Sequence, residues 1–566
     1  VIPKRLTRRG LPLLAAVALL TGLLVASAQA LPAAPPLAGQ ASRTQPAVGQ
    51  PAVNQPAVNP AHVKVLAAAL KKMHDNYPSF ANFTPGPQDI FDYNIGNLWL
   101  KGIDGSGTTV AVIEGWNDPN VAAFIHVRDV RYGLPDPVIQ TIYPSGPLPA
   151  QCPPGMVALG SYGSCDAWQG ELELDVLTVH LIAPYAKIVI SATPADSEIT
   201  DDAASNVAPP EMMHALEYIS AHHIANAISI SDGTGEGTYS FGTAQIHAND
   251  PGPLAAAAAG IPVLNATGDC GVVQNLAVAN AQCGNTSAGP QTATWDDNPW
   301  VTAVGGTVPN VSKTDGSKLG PDPIWHESGI FSEGAGFSAV YPRPSYQNGV
   351  ARITGSRWRS VPDITMDSQS GTSESAPMVA GVMALATQLN HGRNLGPINP
   401  VLYDILGPLG THAGLSDVVS GNNSVIDPKT DKVLVQGFTA APGFDVASGW
   451  GTVDASRFVP ALVAATRATG LARSARNKAG RELSRLERSI RLSAGSGGTT
   501  AVTSTGFLPR HPVKLAIDGT VITTLTASDK GTVSYTLNPA ALGLSHGHHV
   551  LTLQGMLITT TARFRS

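Results

Sequence analysis

Charge is scarce in this chain. Only 13% of its 566 residues are Asp, Glu, Lys or Arg, and the net charge is −6. That balance gives no sign of a nucleic-acid partner, which would call for a marked basic excess. Cysteine is also rare, with four residues. No CxxC or HxxxH spacing accompanies them, which argues against a zinc site. Beyond the N-terminus, no run is long and apolar enough to span a bilayer. Apolar residues, in contrast, are abundant. They make up 43% of the chain, enough for large cores and, at this length, for more than one domain.

The N-terminus reads as an export signal over residues 1–30. Lys4, Arg5, Arg8 and Arg9 precede an apolar run over 11–26, and Ala28-Gln29-Ala30 is a small-x-small cleavage site. The apolar core is short for a membrane anchor. The expectation is therefore a secreted, extracellular protein with no membrane contact once the signal is removed. Four cysteines suit an oxidising compartment. They allow three connectivities, and local pairing, Cys152–Cys165 and Cys270–Cys283, is expected because each pair would close a loop rich in Gly, Ser, Pro or Asn.

Residues 31–83 begin with a Pro/Ala-rich near-repeat, Gln45-Pro46-Ala47-Val48 and its echoes at 50–53 and 55–58, which reads as an extended linker. A short helix is expected over 63–74. From residue 108 the pattern alternates. Apolar strands are expected at 110–113, 187–193, 227–231, 261–264 and 300–304. Helices are expected at 211–223 and 243–259, the latter interrupted at Pro251-Gly252-Pro253. Continuous apolar strands separated by helices predict an α/β fold with a doubly wound, mostly parallel sheet. Residues 461–495 read as a basic helical linker with a solvated face. Residues 496–566 read as a small all-β sandwich with turn signals at Asp518-Gly519 and 529–531. A solvated turn accounts for His546, His548 and His549 without a metal.

The segment Ser370-Gly371-Thr372-Ser373-Glu374-Ser375-Ala376-Pro377 leads directly into an apolar helix-like run. A hydroxyl at a helix start sits where backbone N–H groups converge, so Ser373 is a candidate nucleophile. Helix capping alone would also explain a Ser or Thr there. A nucleophilic Ser needs a base. His126 and His180 are available, but neither lies in a Gly-rich setting that would aim its ring. Glu171 and Asp175 lie four residues apart among apolar neighbours, on one helical stripe. Two close carboxyls in a dry site cannot both ionise easily, so the pair can relay a proton under acidic conditions. Asp269 follows a strand, where α/β proteins place ligands, and a protonated Asp there can donate to an oxyanion. As a plain turn residue it would also be at home between Gly268 and Cys270.

Several segments, taken in order, resemble the sedolisin family of serine-carboxyl peptidases, including the kumamolisins. They are Gly170-Glu171-Leu172-Glu173-Leu174-Asp175, Thr267-Gly268-Asp269-Cys270-Gly271, residues 299–307, Gly336-Phe337-Ser338 through Tyr341-Pro342-Arg343-Pro344, and the serine segment 370–377. The resemblance spans roughly residues 84–455 and implies a subtilisin-like fold with a peptidase domain over 84–460. It implies Ser373 as nucleophile and Glu171 as general base. It further implies Asp175 as the partner that orients Glu171, and Asp269 as oxyanion donor. It also implies one structural Ca2+, held by the Asp417 and Asp445 carboxylates and the carbonyls of Val418, Ala441 and Gly443.

Three departures stand out. Residues 31–83 are mostly linker-like, which argues against control by the family's large folded prodomain. Only 364–369 separate Val361-Pro362-Asp363 from the serine segment, so the structure before the serine is pared down. The 420–440 segment is longer than usual, and the C-terminal module resembles small immunoglobulin-like domains, with contact to cell wall or polymer as a role. The leading reading is a secreted, acid-active serine-carboxyl endopeptidase acting on proteins or peptides. The alternatives are a subtilisin-type Ser-His-Asp protease, and an inactive cell-surface binding protein on the same fold.

Overall fold

The computed structural model describes residues 57–81, 83–154, 156, 164–193, 208–274, 283, 289–327 and 331–566. The export signal and the Pro/Ala repeat up to residue 56 lie outside the described residues. The helix expected at 63–74 spans Pro60–Asp75, capped by Asn59, whose side chain accepts from the Ala61 N–H.

Seven strands build the central sheet: β1 (Thr109–Glu114), β2 (Val138–Ile142), β3 (Lys187–Ala192), β4 (Ala227–Ile230), β5 (Val263–Ala266), β6 (Thr302–Thr307) and β7 (Ile364–Asp367). Their order is β7-β6-β5-β4-β1-β3-β2, and every pairing is parallel. From β1 the chain runs to the edge strand β2, returns to place β3 between them, then crosses to β4 on the other side of β1. The carboxyl edge of the sheet beside β1 and β4 is thus a topological switch point, the usual ligand site of such sheets.

The apolar runs are continuous because both faces are covered. On β1, Val110 and Val112 enter one core and Ala111 and Ile113 the other. On the first face lie two long helices, here called the acid helix (Cys165–Ile182) and the serine helix (Thr372–Leu389). On the second face lies Pro210–Ala221, with Met212, Leu216 and Ile219 buried. The expected helix at 243–259 is two helices, Gly242–Ala248 and Pro251–Ala259. Pro251 opens the second, where a missing N–H costs nothing. The last expected strand is shifted: it starts at Thr302 rather than Trp300.

The basic stretch after residue 455 is also two helices, Ala455–Thr469 and Leu471–Leu486, separated by Gly470 at φ +68°. The second is not solvated all round. Ala479 packs with Leu254 and Ala257 of the helix Pro251–Ala259, and the Arg476 Nε donates to the Ala258 carbonyl at 2.8 Å.

Beyond it lie two antiparallel sheets. One consists of β8 (Arg491–Ala494), β9 (Thr500–Thr505) and β12 (Thr532–Leu537). The other, in the order β11-β10-β13-β14, contains β10 (Pro512–Ile517), β11 (Thr520–Thr526), β13 (His548–Gln554) and β14 (Thr559–Arg565). Both contribute to one core that includes Val502, Val533, Leu515 and Leu553, consistent with a β module. The solvated-turn reading of His549 is corrected. It sits in β13, 7% exposed, with Nδ1 2.6 Å from Asp518 Oδ2. Alternation along β13 turns His549 inward while His548 faces out.

Candidate active site

Two helices bring the expected catalytic residues together. The acid helix starts at Ser164, whose hydroxyl accepts from the Ala167 N–H at 3.3 Å, with Asp166 in the first turn. Its apolar residues Leu172, Val176 and Val179 bury against the core, which carries Asp175 inward to 0% exposure. The serine helix crosses it closely. A Cβ on Gly381 would lie 2.7 Å from Ile182 Cβ, so only glycine permits that approach.

The serine helix begins at Gly371, which has φ +89°, a conformation that glycine adopts without strain. A Cβ there would also lie 2.6 Å from Asp269 Oδ2. Pro377 sits inside the first turns and has no N–H to give the Ser373 carbonyl. The Ser231 hydroxyl takes its place, donating to that carbonyl at 3.3 Å. Ser231 follows β4 and also lies 3.0 and 3.1 Å from the two Asp175 carboxyl oxygens. One hydroxyl thus ties the acid helix to the backbone of Ser373.

Ser373 and Glu171 face each other in one cavity, near enough for the hydroxyl to act on the carboxyl. Asp175 in turn lies within hydrogen-bonding reach of Glu114, the last residue of β1 and 0% exposed. Burial pushes Glu171 above the usual carboxylate range, and the Ser373 hydroxyl opposes the shift. Asp175 and Glu114 are driven well above that range, first by burial and then by their acidic neighbours. Of the three, only Glu171 lines the cavity.

Asp269 follows β5. Its Oδ1 accepts from both the Thr372 N–H, at 2.8 Å, and the Thr372 hydroxyl, at 2.9 Å. Burial raises its pKa, and these two hydrogen bonds work against that. A cavity of about 250 Å³ is lined by Glu171, Asp232, Asp269, Thr372 and Ser373, with Trp168 and the Cys270–Cys283 bridge in its wall. Among the described residues, no histidine lines it. His180 is buried with Nε2 3.0 Å from Asp129 Oδ1, and His126 pairs at the surface with Asp136.

Both disulfides are the local ones, Cys152–Cys165 and Cys270–Cys283, with Cα–Cα separations of 5.9 and 4.9 Å. Asp417 and Asp445, far apart in sequence from the serine segment, converge on a single loop. Asp417 Oδ2 accepts from the Gly443 N–H and Asp445 Oδ2 from the Ala441 N–H, each at 2.8 Å. Val418 is buried beside Ala440 and Ala447. The short run before the serine continues β7 directly into the loop 368–371. The N-terminal segment packs against that loop: Thr84 Oγ1 lies 2.7 Å from Ser370 Oγ.

Sequence reasoning assigned no role to Glu114, Ser231 or Asp232. A signal for Glu114 was present: an ionisable residue ending a fully apolar strand, the same pattern that marked Asp269. Ser231 and Asp232 follow β4 at the same sheet edge, but short polar residues after a strand are ordinary loop chemistry.

Comparison with known proteins agrees with this geometry. Residues 163–399 match the Subtilase family model. The chain is 27% identical to kumamolisin from Bacillus sp. (strain MN-32) over 389 residues, covering 64% of this chain and 61% of that protein. It is 33% identical to human tripeptidyl-peptidase 1 over 232 residues, 35% of this chain and 37% of that protein. The chain therefore spans less than two thirds of either relative. In structure it is similar to Pseudomonas sedolisin in complex with pseudo-iodotyrostatin, with a TM-score of 0.52, 22% identity and coverage of 66% of this chain and 95% of that one. The parallel sheet with its buried serine helix has the subtilisin-like fold. Within that fold the chain is similar to serine peptidases of the kumamolisin and sedolisin type.

Proposed function

We propose that the protein is a secreted, acid-active endopeptidase that cleaves polypeptides through an acyl-enzyme on Ser373. The observation that carries this reading is the placement of Ser373 beside Glu171 in a cavity where buried carboxyls stand in for an imidazole. Ser373 Oγ attacks the scissile carbonyl carbon as Glu171 takes its proton. Glu171 then passes that proton to the leaving nitrogen as the C–N bond breaks. Water repeats the sequence and releases the acid. Asp175 and Glu114 share a proton behind Glu171, so Glu171 is the member left ionised to act as base. Asp269, protonated, donates to the tetrahedral oxyanion together with N–H groups at the start of the serine helix. The export signal and the two disulfides support an extracellular location.

The test is a pH–rate profile for cleavage of an unfolded protein. The mechanism needs Glu171 ionised while Asp269 and the Asp175–Glu114 pair keep their protons. The expected profile is a bell: it rises as Glu171 ionises and falls as those protons are lost. A rate that holds its plateau well above neutrality, with no alkaline fall, would refute the reading.

The same reading gives Ca2+ a structural role. Asp417 and Asp445 offer two carboxylates on one loop, and the carbonyls of Val418, Ala441 and Gly443 would complete an oxygen-only set suited to this ion. Its contribution is to hold the 441–448 loop against Asp417. Chelation, or Asp417→Asn, is expected to lower the melting temperature by roughly 5–10 °C, the effect of an ion present at about 100 times its Kd. Calorimetry with and without chelator checks this, and equal melting temperatures would exclude a bound ion.

A further inference from the structure

A second cluster of acids lies beside the nucleophile and plays no part in the mechanism above. Asp89, Asp367 and Glu374 come from three separate segments: the short helix Pro87–Asp92, the end of β7 and the first turn of the serine helix. All three are 0% exposed, and one carboxylate oxygen from each lies within 4.8 Å of the others. Among the described residues, none of the three is ion-paired with a Lys, Arg or His. Three ionised carboxylates cannot be buried together without a counter-charge.

The way each acid is held bears on what supplies that charge. The Gly86 N–H donates to Asp89 Oδ2 at 2.8 Å, and the Ser370 N–H donates to Glu374 Oε2 at 2.9 Å. Gln369 donates its N–H to Asp367 Oδ1 at 3.0 Å and its side-chain amide to Oδ2 at 3.2 Å. In Asp89 and Glu374 one oxygen is thus pinned by backbone, while Asp89 Oδ1 and Glu374 Oε1 are buried without a partner. Gln88 is an independent sign. Its side chain is turned toward Asp367 and only 3% exposed, yet neither Oε1 nor Nε2 completes a hydrogen bond. Three buried carboxylates on one small volume are hard-cation chemistry, and the Gln88 amide beside them can turn its oxygen inward. Oxygens on opposite sides of Ca2+ stand about 4.6–5.2 Å apart, so the observed grouping fits inside its ligand sphere.

We infer that Asp89, Asp367, Glu374 and Gln88 form a Ca2+ site that clasps the N-terminal segment 84–92 to the loop carrying Ser373. The site is separate from Asp417 and Asp445 and does not depend on the catalytic reading. The ion joins Glu374, the residue next to the nucleophile, to a segment already tied to the same loop through Thr84 and Ser370. Proton sharing between Asp89 and Asp367 is the competing way to neutralise the cluster.

Equilibrium dialysis with Ca2+ decides between them. The full chain carrying Ser373→Ala, to prevent self-cleavage, is stripped with chelator and titrated at pH 7. With Asp417→Asn added to silence the other loop, one Ca2+ per chain is expected to remain, and adding Asp89→Asn is expected to abolish it. No bound ion in the Asp417→Asn protein, or an ion that survives Asp89→Asn, would overturn the inference. Should Asp89→Asn fail to fold, Gln88→Ala keeps all three carboxyls and is expected to weaken binding roughly tenfold. Unchanged affinity in that variant would overturn the inference equally. Because binding rather than proteolysis is read, failure of the catalytic proposal would leave this result unaffected.

Discussion

Ser373→Ala is expected to reduce kcat for peptide hydrolysis by about a million-fold, and Glu171→Gln by roughly a thousandfold or more. The two losses differ in kind. Removing the hydroxyl removes the atom that forms the acyl-enzyme, so no conservative replacement preserves the route. Glu171→Gln keeps the shape of the side chain but cannot accept the Ser373 proton. KM should stay within a few-fold for both, because neither side chain is assigned to holding substrate in the ground state. The double variant should be no worse than Ser373→Ala alone, since the two residues act in one step. Steady-state kinetics at acidic pH on a peptide substrate checks all three. An additive double variant, or a Glu171→Gln enzyme with near-normal kcat, would assign the base to another group. Asp232, in the same cavity, would be the first to examine.

The folded protein is expected to be most stable near pH 4 and to lose stability steeply toward neutrality. Glu114, Asp175, Asp296, Asp297 and Glu333 are each 0% exposed, and burial is the first cause that drives every one of them well above the ordinary carboxylate range. The direction follows from linkage. A carboxyl whose folded pKa exceeds its unfolded value contributes its full stability below the unfolded pKa, near 4. It loses that contribution as pH rises toward the folded value. Each such group forfeits about 1.4 kcal/mol per pH unit while the pH lies between its unfolded and folded pKa, against a net domain stability of only about 5–15 kcal/mol. Some relief comes from Arg359, which lies near Asp296. Calorimetry of the Ser373→Ala protein in chelator should therefore show a melting temperature more than about 10 °C lower at pH 7 than at pH 4. A flat profile, or one that rises toward neutrality, would mean that the buried acids are neutralised by something other than protons.

Much of the fold was legible because its signals are local. Apolar strands such as β1 and β3 are short and continuous, and Pro251 and Gly470 mark helix boundaries by removing an N–H or by taking a positive φ. Boundaries moved where packing outweighed pattern. Trp300 looks like strand, yet β6 begins at Thr302, where pairing with Leu264 starts. His549 looked solvated because its neighbours are polar, but the strand period turns it inward onto Asp518.

By itself the sequence determined the types of chemistry present: a serine at a helix start, an acid pair one turn apart, an acid after a strand, and cysteines placed for local bridges. It determined these because residue type and short spacing survive without a fold. Only the tertiary structure decided which of these groups meet. Ser373 and Glu171 meet in one cavity although their helices are separated by about 200 residues of chain. Glu114 joins that cluster only because β1 lies next to β4 in the sheet, and Asp89 reaches Glu374 only because the N-terminal segment folds back onto the serine loop. Such contacts depend on sheet order and close packing, and burial then sets which carboxyls keep their protons, a property no single segment carries.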